Sequence, residues 1–328
     1  LRRALGALAA AVCTASFAAQ PGFVKRPEVQ SFIADMANRH GFGSAELESL
    51  FSRARFDPDV IRLITPKPPS ERSWQRYRAN FVNERRIAEG LRFRSENAAA
   101  LARAESQFGV PADIVVAIIG IETEFGRHMG TFRVVDALAT LAFDYPARAD
   151  FFRSQLEEFL LLARADGRDV FGLTGSYAGA MGIPQFMPGS YRRFAVDFDG
   201  DGTRDLFDSP ADAIGSVANF LKEHGWKPGE PVAYPASVEG DGYHAFVDGG
   251  IRPRYRADAL RAAGVTFSSE AAPDTQCVLV ELETPDATPD HYVGLHNFYV
   301  LTRYNRSSFY AAAVVELAYE VGAAGANR

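Results

Sequence analysis

Apolar positions along most of this chain recur at three- and four-residue spacing, the period of helices packed on a core. From Pro27 to Gly41, Val29, Phe32, Ile33 and Met36 share one face, and His40-Gly41 is a stop signal. Ser44 is placed to cap a second helix that turns Leu47, Leu50, Phe51 and Ala54 inward. Thr65-Pro-Lys-Pro-Pro-Ser70 breaks the period and predicts a connector. One long helix is predicted from about Asn83 to Phe108, stopped by Gly109. The period returns from Val134 to Ala165, interrupted at Asp144-Tyr-Pro146, and again from Ala211 to Leu221, ending before Gly225.

The pattern then changes. From about Pro228 to Val300, Gly, Pro and short alternating runs dominate. Val232-Ala-Tyr234, Tyr243-Ala245-Val247 and Val278-Val280 predict short strands. Helix resumes at Ser307-Ser308 and runs through Tyr310 to Ala318. The expectation is a mainly α protein (α+β) with a small strand-containing subdomain inserted late in the chain.

One segment departs from amphipathic patterning. Pro111 to Gly126 is apolar on nearly every face, with Pro111 at a helix start, and such a helix is buried all round. Glu122 stands near its end. A carboxylate there is costly to ionise, so its pKa should be raised. A carboxylic acid that stays protonated near neutrality can act as a general acid, whereas a Glu that merely leaves the core would not. Glu124, two residues on, should point elsewhere.

Composition bounds the chemistry further. The chain has 328 residues, enough for about two domains, and its net charge of −6 offers no basic field for nucleic acid. Residues 1–19 combine Arg2 and Arg3, an Ala-rich apolar run and small residues at their end, which predicts a signal peptide and export to the periplasm. Cys13 lies inside this leader, and Ala10-Ala-Val12 before it does not favour lipidation, so an outer-membrane lipoprotein is the lesser alternative. Cys277 is left unpaired and fits a buried strand residue.

Asp197-Phe-Asp-Gly-Asp-Gly-Thr-Arg-Asp-Leu-Phe-Asp208 places acids at loop positions 1, 3 and 5 and Gly202 at 6, the spacing of an EF-hand. A hard cation needs converging oxygens. Asp197, Asp199, Asp201, the Thr203 carbonyl, and Asp208 or Asp212 as closing ligand could supply them, and Ca²⁺ suits such a cage better than Mg²⁺. No organic cofactor is expected. Gly175 to Tyr191 is rich in small residues, with Ser176, Tyr177, Gln185 and Phe186 offering hydrogen bonds and flat rings that suit a sugar chain, although a packed loop would look similar. Tyr304, Asn305 and Tyr310 cluster at what reads as a strand-to-helix transition, with Asn305 a possible cap.

Together, Ile118-Ile-Gly-Ile-Glu-Thr-Glu-Phe-Gly-Arg127, Asp136-Ala-Leu-Ala-Thr-Leu141, Gly179-Ala-Met-Gly-Ile-Pro-Gln-Phe-Met-Pro188, Asp212-Ala-Ile-Gly-Ser-Val-Ala-Asn219 and Thr302-Arg-Tyr-Asn305 resemble the B-type lytic murein transglycosylases. The resemblance spans nearly all of the chain after the leader. It implies a lysozyme-like helical core over 81–227, an additional helical domain beginning over 20–80, a small β subdomain over 228–300 and a C-terminal helix over 301–328 returning to the core. It further implies a monomer acting on peptidoglycan glycan strands, with other cell-wall enzymes as potential partners. The muramic C6 hydroxyl would close on C1, leaving a 1,6-anhydro end. Glu122 matches the family's single catalytic acid, and Ser176, Gln185, Tyr304 and Tyr310 match cleft positions. Arg148 matches a basic residue that could meet substrate carboxylates. The rivals are a hydrolytic muramidase on the same scaffold and a non-catalytic, calcium-stabilised peptidoglycan-binding protein.

Overall fold

The structure, a computed structural model, describes residues 22–66, 68, 72–247 and 250–326. The expected leader and Cys13 lie outside the described residues, as does part of the Thr65–Ser70 connector. The chain divides after Phe56 into two compact units.

The first unit is a helical pair. Pro27–His40 ends as its sequence demands, with Gly41 left-handed at φ 66° and its N–H bonded to the Ala37 carbonyl at 3.0 Å. Ser44–Arg53 follows, and Phe32 meets Phe51 edge-on at 5.9 Å. Leu47 and Phe51 are buried, Leu50 only half so. Ser44 opens this helix rather than capping it. Gly43 holds the cap position, and no side chain bonds there.

In the second unit the stretch expected as one helix is two, Glu84–Glu96 and Ala98–Phe108. Asn97 separates them because its side chain donates back to the Phe93 carbonyl at 2.9 Å while its own backbone leaves helical geometry. Gly109, at φ 72°, then turns the chain by 115° into the buried helix Ala112–Thr123, for which Pro111 is the N-cap. Among the described residues no single helix is long and apolar enough to cross a membrane. Ser308–Ala326 packs along the buried helix, and Trp74–Phe81 and Glu84–Glu96 pack on Ser308–Ala326 in turn. Val134–Asp144 and Ala149–Ala165 pack against each other, separated at Pro146 as expected.

Five antiparallel strands make the β subdomain, in the order Tyr255–Arg256, Gln276–Leu282, Asp290–Gly294, Ala233–Val238, Val265–Thr266. Their pairing sets Val280 opposite Tyr292 and Tyr234 opposite Val293. Cys277, Leu279 and Val293 face a core shared with Leu260 and Val265, so Cys277 is the buried strand residue expected. Tyr243-Ala245-Val247 is not a strand. His244–Val247 forms one helical turn, with the Phe246 N–H on the Tyr243 carbonyl at 2.9 Å, which lets Phe246 pack edge-on against Tyr255. Four residues fit either period equally well.

The sheet is tied to the helices at Trp74. Its backbone N–H donates to the Glu283 carbonyl at 2.8 Å and its indole N–H to Asp290 at 2.9 Å. Glu316 adds a second tie, accepting from Arg78 Nε at 2.5 Å and from the Tyr292 hydroxyl at 2.9 Å.

Candidate active site

Residues 114–121 and Thr123 of the buried helix are all buried. Glu122 sits in the last turn, and burial pushes its carboxyl up to about 7. The opposing influence is a hydrogen bond from the Tyr310 hydroxyl to Oε1 at 2.7 Å, which favours the charged form. Tyr310 comes from the helix Ser308–Ala326, whose Ala-rich N-terminal half allows close packing on the buried helix.

Tyr304 lies beside Tyr310, with ring centroids 6.2 Å apart and planes within 12°. Its hydroxyl donates to the Pro184 carbonyl at 2.6 Å. The approach is not a strand-to-helix transition: His296–Tyr304 is a helix, and Asn305 is its exposed C-cap before the next helix. Tyr77 completes the group. Burial, then the nearby Glu122 charge, raises the phenols of Tyr77, Tyr304 and Tyr310 above their ordinary range, so all three are neutral donors. Tyr77 was not foreseen. Its signal was the spacing Trp74, Tyr77, Phe81, an aromatic face on an otherwise polar helix.

The Gly-rich segment wraps the other side. Gly175 pairs with Phe132, and Met181 bridges to Gly175 and Phe186. Gly130 approaches this turn so closely that a Cβ there would lie 2.1 Å from the Gly175 carbonyl oxygen. The Ser176 hydroxyl accepts from the Ala178 and Ala180 amides at 3.3 and 3.1 Å, leaving its proton for a further acceptor. Tyr177 is half-buried. Gln185 is held at φ 50°, its amide donating to the Met129 and Gly182 carbonyls, each at 3.0 Å. Phe186 is 2 % exposed and packs on Phe220 and Tyr304 at 5.6 and 5.8 Å. A cavity of about 370 Å³ lies beyond, lined in part by Phe151, Gln185, Phe186, His224, Arg303 and Tyr304. Arg148 is exposed, its guanidinium 4.4 Å over the Phe151 ring. Tyr304 thus links the Glu122–Tyr310 pair to this cavity.

Glu124 lies beyond the helix end, as its left-handed C-cap at φ 50°, and pairs with Arg85 at 2.8 Å and Arg86 at 2.9 Å instead of joining Glu122.

The acidic loop gathers one carboxylate oxygen each from Asp197, Asp199 and Asp212 within 4.8 Å. Such a triad could hold a metal ion. Asp212, fully buried, accepts from the Phe198, Asp199 and Asp205 amides at 2.6, 3.2 and 2.7 Å, while burial pushes its carboxyl up. Asp201, Thr203 and Asp208 stay outside the triad. All three are exposed, and Asp201 accepts from the Thr203 amide and hydroxyl at 2.7 Å. Asp205, not foreseen, accepts from the Phe207 amide at 2.9 Å and pairs with Arg168 at 3.3 Å.

A family model, the transglycosylase SLT domain, matches residues 24–319. The membrane-bound lytic murein transglycosylase B of Escherichia coli K12 is 43 % identical over 311 residues, 92 % of this chain and 84 % of that protein. Among solved structures, the soluble lytic transglycosylase SltB1 of Pseudomonas aeruginosa is 46 % identical with a TM-score of 0.85, over 91 % of this chain and 99 % of its own. The Escherichia coli lytic transglycosylase Slt35 in complex with calcium is 43 % identical with a TM-score of 0.84, over 93 % of this chain and 95 % of its own. A half-buried acid under a tyrosine, a Gly-rich loop opposite and agreement across nearly the whole length lead to one assignment: the chain belongs to the lytic murein transglycosylase B family.

Proposed function

We propose that Glu122 is the single acid–base group of this enzyme. The protein is a lytic transglycosylase of peptidoglycan. The observation that carries the proposal is the Glu122 carboxyl, raised to about 7 by burial and bonded to Tyr310. A group in that range exists in both protonation states near neutrality.

Glu122 first gives its proton to the glycosidic oxygen between N-acetylmuramic acid and N-acetylglucosamine as the C1–O bond breaks. The muramic N-acetyl group stabilises the positive centre, in the manner of substrate-assisted glycosidases. The C6 hydroxyl then attacks C1, and its proton returns to Glu122. No water enters, and the product ends in 1,6-anhydromuramic acid. Tyr310 steadies the carboxylate formed between the two halves. Ser176, Tyr177, Gln185, Phe186, Arg148, Tyr304 and Asn305 contribute to the glycan cleft, with the Ser176 proton available to the N-acetyl oxygen. Residues 81–227 would supply the acid and the acidic loop, and 301–328 would return the tyrosines.

Asp197, Asp199 and Asp212 would hold a structural Ca²⁺, whose charge would offset three carboxylates at close range. Thr203, Asp201 and Asp208 could complete the shell. Export through the leader at residues 1–19 agrees with a wall substrate.

Digestion of purified sacculi followed by mass spectrometry of the ends tests the proposal. Anhydro ends, lighter than hydrolysed ends by one water, are expected, and they should disappear in Glu122→Gln. Hydrolysed ends, or full turnover in that variant, would overturn it.

A further inference from the structure

The chain just after Glu122 is held in an unusual way. Glu124 and Phe125 are both left-handed, at φ 50° and 62°, and Gly126 follows at φ 87°. Consecutive left-handed residues other than Gly persist only when their surroundings hold them there. Here the holding group is Arg86, at the start of the helix Glu84–Glu96 and 5 % exposed. One guanidinium nitrogen bonds the Gly120 carbonyl, two residues before Glu122. The other bonds Glu124 Oε1 at 2.9 Å, two residues after it, and the Asn80 carbonyl at 3.3 Å. Arg85 takes the second Glu124 oxygen at 2.8 Å.

Two further contacts fix the same turn. The Phe125 ring lies 5.3 Å from Phe93, in space left free by Gly120 and Gly90. A Cβ on Gly120 would come within 2.8 Å of that ring. Thr123 donates to the Ile183 carbonyl at 2.7 Å and accepts from the Gly126 amide at 2.9 Å, joining the turn to the loop that carries Gln185. The residues flanking Glu122 are thus anchored on both sides, while its own carboxyl accepts the Tyr310 hydroxyl.

We propose that Arg86 and Glu124 form a clamp that positions Glu122 for proton transfer. Neither touches the reacting atoms; both are positioning residues acting through the end of the helix Ala112–Thr123. The inference rests on Glu122 being the acid–base group. A planar guanidinium suits this task because it reaches a carbonyl and a carboxylate at once, which an ammonium does less well.

The test is steady-state kinetics of Glu124→Gln and Arg86→Lys on sacculi over a range of pH, normalised to the folded fraction from circular dichroism. Glu124→Gln keeps the shape and removes the charge. It is expected to lower kcat by about ten- to a hundredfold with KM within about twofold, since sub-ångström misplacement of a proton donor costs rate rather than binding. The alkaline limb of the pH profile should move below about 7 as water reaches the carboxyl. Arg86→Lys should lose less kcat than Arg86→Ala if that variant folds, and Arg85→Ala should cost less than about fivefold, because its pair is solvent-facing. A lowered melting temperature in Glu124→Gln with wild-type kcat and pH limb would overturn the clamp. If Glu122→Gln itself turned over normally, the acid–base assignment would fail instead, so the two failures are distinguishable.

Discussion

Tyr310 donates a 2.7 Å hydrogen bond to Glu122 across 188 positions of chain. The bond counters burial, so the acid sits lower than burial alone would set it. In Tyr310→Phe the Glu122 carboxyl should rise above about 7. The alkaline limb of the pH–rate profile should then shift upward, with kcat lower by about tenfold or more, because a hydrogen bond to a charged group is lost. A downward shift of that limb would contradict the geometry.

Glu122 also makes stability depend on pH. Its folded pKa lies above the unfolded value of 4.5, so the folded state binds the extra proton between 4.5 and about 7. Stability from this group is full below 4.5 and declines as pH rises through about 7, by on the order of 3 kcal/mol. Glu122→Gln should abolish that slope and melt no lower than the parent at pH 8. Thermal melts from pH 4 to 8 would show it.

Calcium should act on stability and not on chemistry. Binding to the folded state alone at a hundred times Kd adds about 2.7 kcal/mol. A chelator should therefore lower the melting temperature and calcium restore it, with Asp199→Ala insensitive to both. A melting temperature indifferent to chelator in the parent would remove the metal assignment.

Phe186 is more a wall than a contact. It is 2 % exposed between Phe220 and Tyr304. Phe186→Ala should cost about 3–5 kcal/mol of stability in denaturant titrations, with weakened substrate binding secondary to that loss.

Much of this was legible in the residues themselves. The helix around Glu122 announced its burial by lacking a polar face, and burial is what sets the carboxyl pKa. The acidic loop was legible by spacing. Its closure was not, because Asp212 earns its place through three amide bonds that form only when the chain folds back on the helix Pro210–Glu223. Tyr77 and Arg86 were hidden for a similar reason: their partners lie tens of residues away. His244–Val247 was misread because four residues are too few to separate two periods.

Among the described residues the β sheet gives no side chain to the acid, yet it holds Trp74 by two hydrogen bonds and reaches Arg78 through Tyr292 and Glu316. Tyr77 rides on that same short helix. Trimming the enzyme down to its helices would therefore not yield a smaller catalyst; it would unmoor one wall of the chamber around Glu122.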